Sequence, residues 1–518
     1  MALNYAACIQ RPCPEHHTPE MAVFAVKTGT GTMFKAIWRF LTTPFRVIPW
    51  YIWLAALGVA VWLGRNILVI IATVIVFDPI PVPPLFLPEP ANLLEARTQD
   101  LQHFRHVRRN ERSLDAAGRA RLDAATESLR AQMGEMSDAE FQLGLARVQA
   151  VIDNGHSNAS ATRMVQPFPR LPIRSAYMAG ELRVLRALPG FEDLLGARVT
   201  HINGEAVDEV AARFRNAFGG KDAFFATIVP LFLETPAYLD AVDSGAGDSG
   251  AGESVYRFEY PDGTLEERSL APVEVEAGTD RVSPGDLAQT WQRESDRWIA
   301  FQPAGEALQF QNPDNGYWTQ ALPDLDAVYI ALRVNYDDES GESLADFAAR
   351  ILPEMAALSP RIIILDQRFN GGGDLGRTHD LMAGLADITG PDGRVYLLAG
   401  NNTFSAGIVN LAVAKEAAPD RTRLVGEPIG DRLQFWAEGW WYNLPNSGFR
   451  ARYSAGYYDL QNGCHGIFIC PWSSLHIFPV IVDDLDIDIA APLTFEAYAA
   501  GRDPGLEAIY TAEGVTAR

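Results

Sequence analysis

Two short runs carry the residues best suited to chemistry. Ile363-Ile364-Leu365 leads through Asp366-Gln367-Arg368-Phe369-Asn370 into Gly371-Gly372-Gly373-Asp374, and about thirty residues later comes Asn401-Asn402-Thr403-Phe404-Ser405-Ala406-Gly407. The first run reads as an apolar strand ending in a glycine turn, whose backbone N–H groups can approach a substrate closely because glycine has no Cβ. The second places Ser405 at the mouth of an alanine-rich helix running from Ala406 to about Ala417. There the hydroxyl lies near the positive end of the helix dipole and the Ala406 N–H is free to donate. That is the chemistry of acyl transfer, with Ser405 as nucleophile and Gly371, Gly372 and Ala406 as oxyanion donors. Plainer roles suit the same residues: a strand-to-helix turn for the glycines and an N-cap for the serine.

The company of these runs favours the chemical reading. Asp366, Arg368, Asn370, Gly372 and Gly373 match the strand-turn motif Leu-Asp-Leu-Arg-x-Asn-x-Gly-Gly, with Gln367 in an apolar position, and Val425-Gly426-Glu427-Pro428-Ile429-Gly430 follows with Ile429 where threonine is usual. In that order with Thr403-Phe404-Ser405-Ala406, they resemble the tail-specific (C-terminal-processing) serine peptidases and their tricorn-core relatives. The resemblance runs from about Leu94 to the C-terminus and includes Leu444 to Gly448 and Ala500 to Pro504.

Much of that family uses a lysine about twenty-five residues after the serine, where this chain has Gly430 and Asp431. Only four of its 43 basic residues are lysines: Lys27, Lys35, Lys221 and Lys415. Arginine does not act as a base near neutral pH. Two of the lysines precede the apolar segment, Lys221 lies in a Gly-Gly-Lys-Asp loop, and Lys415 falls well along the helix that Ser405 opens. A histidine fits better. Asp153-Asn154-Gly155-His156-Ser157 follows a helical pattern, Asp138 to Ile152, that opens on a Ser137 cap. In the tricorn-like branch a run of this kind carries the catalytic histidine, so the resemblance makes His156 the general base, with an imidazole suited to neutral pH. A carboxylate should orient it. Asp431 and Glu427 are nearest the family's lysine-bearing turn, Glu438 and Asp459 lie further on, and the residues alone leave the choice open.

Composition bounds the rest. The chain has 518 residues, a net charge of −22 and 48% apolar residues. So acidic a chain is unsuited to nucleic acid, which needs a basic surface. No metal or organic cofactor is implied. One apolar stretch, residues 48–77, is long enough to cross a bilayer, interrupted by Arg65 and opened by Trp50, Tyr51 and Trp53. Lys27, Lys35, Arg39 and Arg46 stand before it, with no acid between Met21 and Phe77. The positive-inside rule therefore puts the N-terminus in the cytoplasm and the catalytic region outside, in a periplasm or beyond the cell. Outside the cytoplasm, Cys464 and Cys470 could bond; a pair of free thiols is the alternative.

The expected organisation is a cytoplasmic tail (1–47), a single-pass transmembrane helix (48–77), a proline-rich linker (78–91) and a helical cap carrying His156 (92–175). A β-rich domain (176–275) follows, in which Leu194 to Val207 resembles a PDZ strand pair, and then an α/β catalytic domain (276–518). Asp243 to Glu253 reads as a flexible inserted loop. From Ala327 onward strands alternate with helices, the α/β pattern of a largely buried sheet. The resemblance implies a crotonase-like core. The function expected is a membrane-anchored serine endopeptidase acting on unfolded or C-terminal protein segments. The alternative is an inactive peptide-binding membrane scaffold of the same fold, kept open by the missing lysine and Ile429.

Overall fold

A computed structural model describes residues 87–242, 252–274, 297–339, 341–466, 469–471 and 479–516, together with Gly64. Apart from Gly64, the proposed membrane segment 48–77 lies outside the described residues, as do the linker up to residue 86 and most of the Asp243 to Glu253 loop. Among those described, no single helix is long and apolar enough to cross a membrane.

Three helices open the described chain: α1 (Leu93–Asn110), α2 (Ala116–Gln132) and α3 (Asp138–Ala150). Each begins where a side-chain oxygen takes an orphan backbone N–H: Asn92 for α1, Asp115 for α2, and for α3 a reciprocal capping box of Ser137 and Glu140. Gly118 lies in the first turn of α2, where its N–H is the one that Asp115 caps. A short α4 (Ala161–Val165) leads into an antiparallel sheet of β1 (Ile173–Met178), β2 (Glu181–Ala187), β3 (Arg198–Ile202), β4 (Glu205–Ala206), β5 (Ser254–Glu259), β6 (Leu265–Leu270) and β7 (Ile299–Ala300), with main order β1-β2-β3-β5-β6. Between β4 and β5 run α5 (Val207–Ala212), α6 (Asp222–Ala226), α7 (Pro230–Leu233) and α8 (Pro236–Val242). The helical cap and this β-rich module share one hydrophobic core. Phe104, Phe141 and Leu143 belong to the same cluster as Val184, Phe232 and Phe258, and Phe449 and Tyr453 from late in the chain close it.

The second layer system is a six-stranded sheet. β8 (Tyr317–Leu322) runs antiparallel to β9 (Ala327–Leu332), and β10 (Ile362–Asp366), β11 (Arg394–Ala399) and β12 (Thr422–Gly426) continue in parallel. Alternation decides which face each side chain serves. Ile363 and Leu365 pack with α9 (Leu344–Leu358), α10 (His379–Ile388) and α11 (Ala406–Ala417), while Ile362 and Ile364 pack on the opposite face. Covered on both sides, β10 is buried along its whole length. α11 is apolar nearly all round and buried from Ala406 to Ala414, a helix threaded through the core rather than laid on it. Two hairpin-like pairs follow: β13 (Gln434–Ala437) with β16 (Gly456–Asp459), and β14 (Trp441–Asn443) with β15 (Arg450–Arg452). β17 (Ile489–Ala490) adds to the sheet edge beside β12, and α12 (Phe495–Ala499) and α13 (Pro504–Ala512) end the described chain, Leu506 and Ile509 of α13 joining the Ile362 face.

Candidate active site

The turn after β10 is braced before it does anything else. Asp366 is buried, and burial alone would raise its pKa. The Arg368 guanidinium (3.0 Å from each oxygen through Nε) and the Tyr329 hydroxyl (2.6 Å) overcome that and hold it below the ordinary carboxylate value. Arg368 also donates twice to Asp503, the N-cap of α13, at 2.8 Å each. Two of the matched motif residues are thus structural: they fix the exit of β10 against the end of the chain.

Beneath the glycines lies a buried polar network. Asn370 Nδ2 donates to Leu332 O (3.0 Å) and Asn335 Oδ1 (2.8 Å), and Thr378 Oγ1 bridges Asn335 and Asn410. The Gly372 N–H donates to Asn370 Oδ1 at 2.9 Å, which corrects its expected part as oxyanion donor: that hydrogen is already used to shape the turn. Gly371, Gly373 and Ala406 line the cavity beside Ser405, and none of their N–H groups has a partner among the described residues. Gly372 has a different necessity. Its φ is +106°, and a Cβ there would lie 2.6 Å from Ser405 Cβ.

Ser405 sits between β11 and α11 with φ 52° and ψ −124°, a conformation that non-glycine residues rarely adopt. The turn is pinned from below. Thr403 Oγ1 donates to Gln367 O (2.9 Å), the Phe404 N–H donates to Asn370 O (2.9 Å), and the Gly430 N–H donates to Thr403 O (2.9 Å). Its side chain makes no capping bond to the helix it opens, so the N-cap reading does not describe it.

His156 reaches this place through a turn clamped at both ends. Asn154 Nδ2 donates to Trp436 O (2.9 Å) and its Oδ1 accepts the Trp436 N–H (3.2 Å), so the amide pairs with β13 as a strand residue would. Asn158 grips Gly219, accepting from its N–H at 2.8 Å and donating to its carbonyl at 3.1 Å. His156 is 5% exposed and lines the same cavity of about 720 Å³ as Ser405, together with Phe435, Glu438, Arg452 and Tyr458. Its ring is stacked in a column: Phe224, Phe404, His156, Phe435 and Tyr458 follow one another with centroids 4.7, 4.5, 5.1 and 5.0 Å apart.

Asp431, buried behind the imidazole, brings Oδ2 to 3.4 Å from His156 Nδ1. The contact is long and not aligned as a hydrogen bond, a looseness common before substrate binds. Burial lowers the His156 pKa, Asp431 opposes this, and the net effect is a value below that of a free imidazole. Glu427 is not at this site. Its carboxyl lines a separate cavity of about 90 Å³ with Tyr177, Arg368 and Asn401, and burial raises its pKa. Glu438 is on the cavity wall with its carboxylate taken by Tyr458 OH (2.5 Å), and Asp459 accepts turn N–H groups from Gln461 and Asn462. Lys415 pairs with Asp484 at 2.7 Å, and Lys221 does not line the Ser405 cavity. Cys464 and Cys470 are joined in a disulfide with Cα atoms 5.8 Å apart.

The sequence reading missed Phe224, Phe404 and Phe435 around the imidazole, and it missed that Gly219-Gly220 packs against the histidine turn. Only Phe404, beside the nucleophile, carried a signal that could have been followed.

No family model matches the sequence, and no curated protein matches it either. Solved structures do. Mature CPAF complexed with lactacystin aligns over 81% of this chain and 98% of its own, with TM-score 0.52 and 14% identity. A serine-to-alanine mutant of CPAF aligns over 81% and 97%, with TM-score 0.53 and 13% identity. The photosystem II D1 C-terminal processing protease covers 79% of this chain and 98% of its own at 12% identity, but its TM-score is 0.35. The chain thus has a mixed α/β fold similar to that of CPAF.

Proposed function

We propose that this protein is a serine endopeptidase of the tail-specific family, with Ser405 as nucleophile, His156 as base and Asp431 as the acid that orients the imidazole. The observation that carries the reading is the meeting of a strained Ser405 with a buried, acid-backed His156 on one cavity. Ser405 Oγ attacks the scissile carbonyl carbon as its proton passes to His156 Nε2. The oxyanion is held by the N–H of Ala406 and of Gly371 or Gly373. The C–N bond then breaks, the imidazolium returns its proton to the leaving amine, and an acyl-enzyme remains. Water, giving a proton to His156, attacks that ester, and collapse of the second tetrahedral intermediate, with the imidazolium returning that proton to Ser405 Oγ, releases the carboxyl product and regenerates Ser405. Asp431 stabilises the imidazolium in both halves.

The substrates are unfolded or C-terminal protein segments, an open cavity with backbone donors being suited to an extended chain. The apolar residues 48–77 anchor the protein in a membrane, with the catalytic region on the far side from the cytoplasm. A fluorophosphonate probe tests the chemistry. It should label the full-length protein at Ser405 and fail on Ser405→Ala, and a wild-type protein that is folded yet unlabelled overturns the reading.

A further inference from the structure

The end of α1 gathers positive charge that is only partly paired among the described residues. Arg105, His106, Arg108 and Arg109, with Arg119 of α2, line an open depression of about 640 Å³ on a chain whose net charge is −22. Two of the five are committed: Arg108 donates to Asp123 (2.8 Å), and Arg119 donates to Glu111 O (3.0 Å). Arg105 and Arg109 are exposed and have no hydrogen-bonding or carboxylate partner among the described residues. The depression is positive enough that Arg105, Arg109 and His103 add to burial in lowering the His106 pKa. The outer face of α1 carries Leu94, Gln102, Arg105 and Arg109 at helical spacing, with one exposed acid beside them, Glu95 in the first turn, whose carboxylate accepts the Ala91 N–H. At its start Leu93 and Leu94 are 56% and 53% exposed. Exposed leucines at one end and unpaired arginines along one face make a helix suited to lie in a headgroup layer.

We propose that this face of α1 docks the protein on the anionic phospholipid headgroups of a bilayer. The inference rests on the reading of residues 48–77 as a membrane anchor, which places a bilayer within reach. The fifteen residues 78–92 separate that segment from α1 and span at most about 50 Å when extended. Arg109 lies sixteen residues beyond Leu93, roughly 24 Å along the helix. The arginines supply the charge complement and the leucines the apolar contact. Headgroup docking would hold the catalytic cavity at a fixed height over the membrane rather than at the end of a loose tether.

The test uses the full chain with Cys8 and Cys13 changed to serine and a dye on Gln102→Cys. Energy transfer to a headgroup-labelled lipid is read in vesicles of phosphatidylcholine alone or mixed with phosphatidylglycerol. Transfer should rise in the anionic vesicles and fall as salt is raised well above about 0.1 M. Each basic side chain near an anionic surface contributes roughly fivefold to partitioning, so Arg105→Glu with Arg109→Glu should weaken docking at least about thirtyfold. Hydrolysis of a short soluble peptide should be unchanged in that variant. Equal transfer in the two vesicles, or no response to charge reversal, overturns the proposal. Competition by polyglutamate with no response to phosphatidylglycerol also overturns it, and points to an acidic protein partner. Flotation with neutral vesicles at high salt reports the anchor separately. If the chain stays behind there, the anchor reading fails, and phosphatidylglycerol-dependent flotation at low salt still decides the docking face.

Discussion

The turn that holds Ser405 and the turn that holds His156 are built on opposite principles. The first is local: strand, glycines and helix lie between Ile362 and Ala417, and its hydrogen bonds run among Gln367, Asn370, Thr403 and Gly430. The second is assembled from afar. Asn154 reaches Trp436, 282 positions away, Asn158 reaches Gly219, 61 away, and the two rings beside His156, Phe404 and Phe435, come from two other segments. The proposed nucleophile can thus be written as a motif, whereas the proposed base is a product of tertiary packing.

If that contrast is real, damage should look different on the two sides. The largest effect is expected from Asp431→Asn, which removes the negative charge behind the imidazole. By analogy with other serine triads, kcat should fall by about three to four orders of magnitude while labelled protein remains folded. The base must be neutral, and the His156 pKa is lowered, so the acid limb of kcat/KM should lie below ~6.5 in the wild type. Asp431 is a group that raises that pKa, so the residual activity of Asp431→Asn should keep its limb at still lower pH. A wild-type limb at or above the free imidazole value would count against the buried base.

Next comes Gly372→Ala on the local side. Its Cβ would meet Ser405 Cβ at 2.6 Å from a backbone at φ +106°, a strain of roughly 1–3 kcal/mol. Activity should drop about a hundredfold with KM little changed, and thermal melting should report the strain. Then Phe435→Leu opens one face of the ring column. Losing the stack should cost about tenfold in kcat and, by admitting water, move the acid limb upward, while Phe435→Tyr should restore both. The smallest change is expected from Asn158→Ala, which frees the grip on Gly219. A stability loss of roughly 1–3 kcal/mol, seen as earlier urea unfolding, should accompany a modest loss of activity. If Asn158→Ala were instead more damaging to activity than Gly372→Ala, the contrast between the two turns would be reversed.

The same contrast explains what the sequence disclosed. Alternating strands and helices from Ala327 onward were legible because a sheet buried on both faces needs continuous apolar strands, and β9, β10 and β11 are such strands, separated by helices. Ser137 announced α3 through its capping box. Ser405 and the glycines were legible as a local pattern, but the pattern did not tell which N–H was spoken for; only the position of the Asn370 side chain decides that. His156 stood out mainly by elimination of lysines and by resemblance. The choice among Asp431, Glu427, Glu438 and Asp459 was closed to the sequence because it depends on β13 and β16 folding back over the histidine turn. Nor did the domain bounds foresee that the helical cap and the β-rich module share a core, since shared cores are written in surface shape rather than in periodicity.

Gly155 carries a consequence for how the molecule is made. A Cβ there would stand 2.5 Å from Asp431 Oδ2, so the acid can come up behind the imidazole only across a bare backbone. Both Asp431 and the strand that Asn154 pairs with lie late in the chain. During synthesis the histidine turn leaves the ribosome with Asp431 and its strand partner still unmade, and it must wait for nearly 280 further residues before either is available. On the proposed mechanism, a nascent or truncated chain ending before Asp431 would hold a histidine with no acid to orient it. Placing the two halves of the proposed site so far apart makes synthesis past Asp431 and Trp436 the step that would arm it.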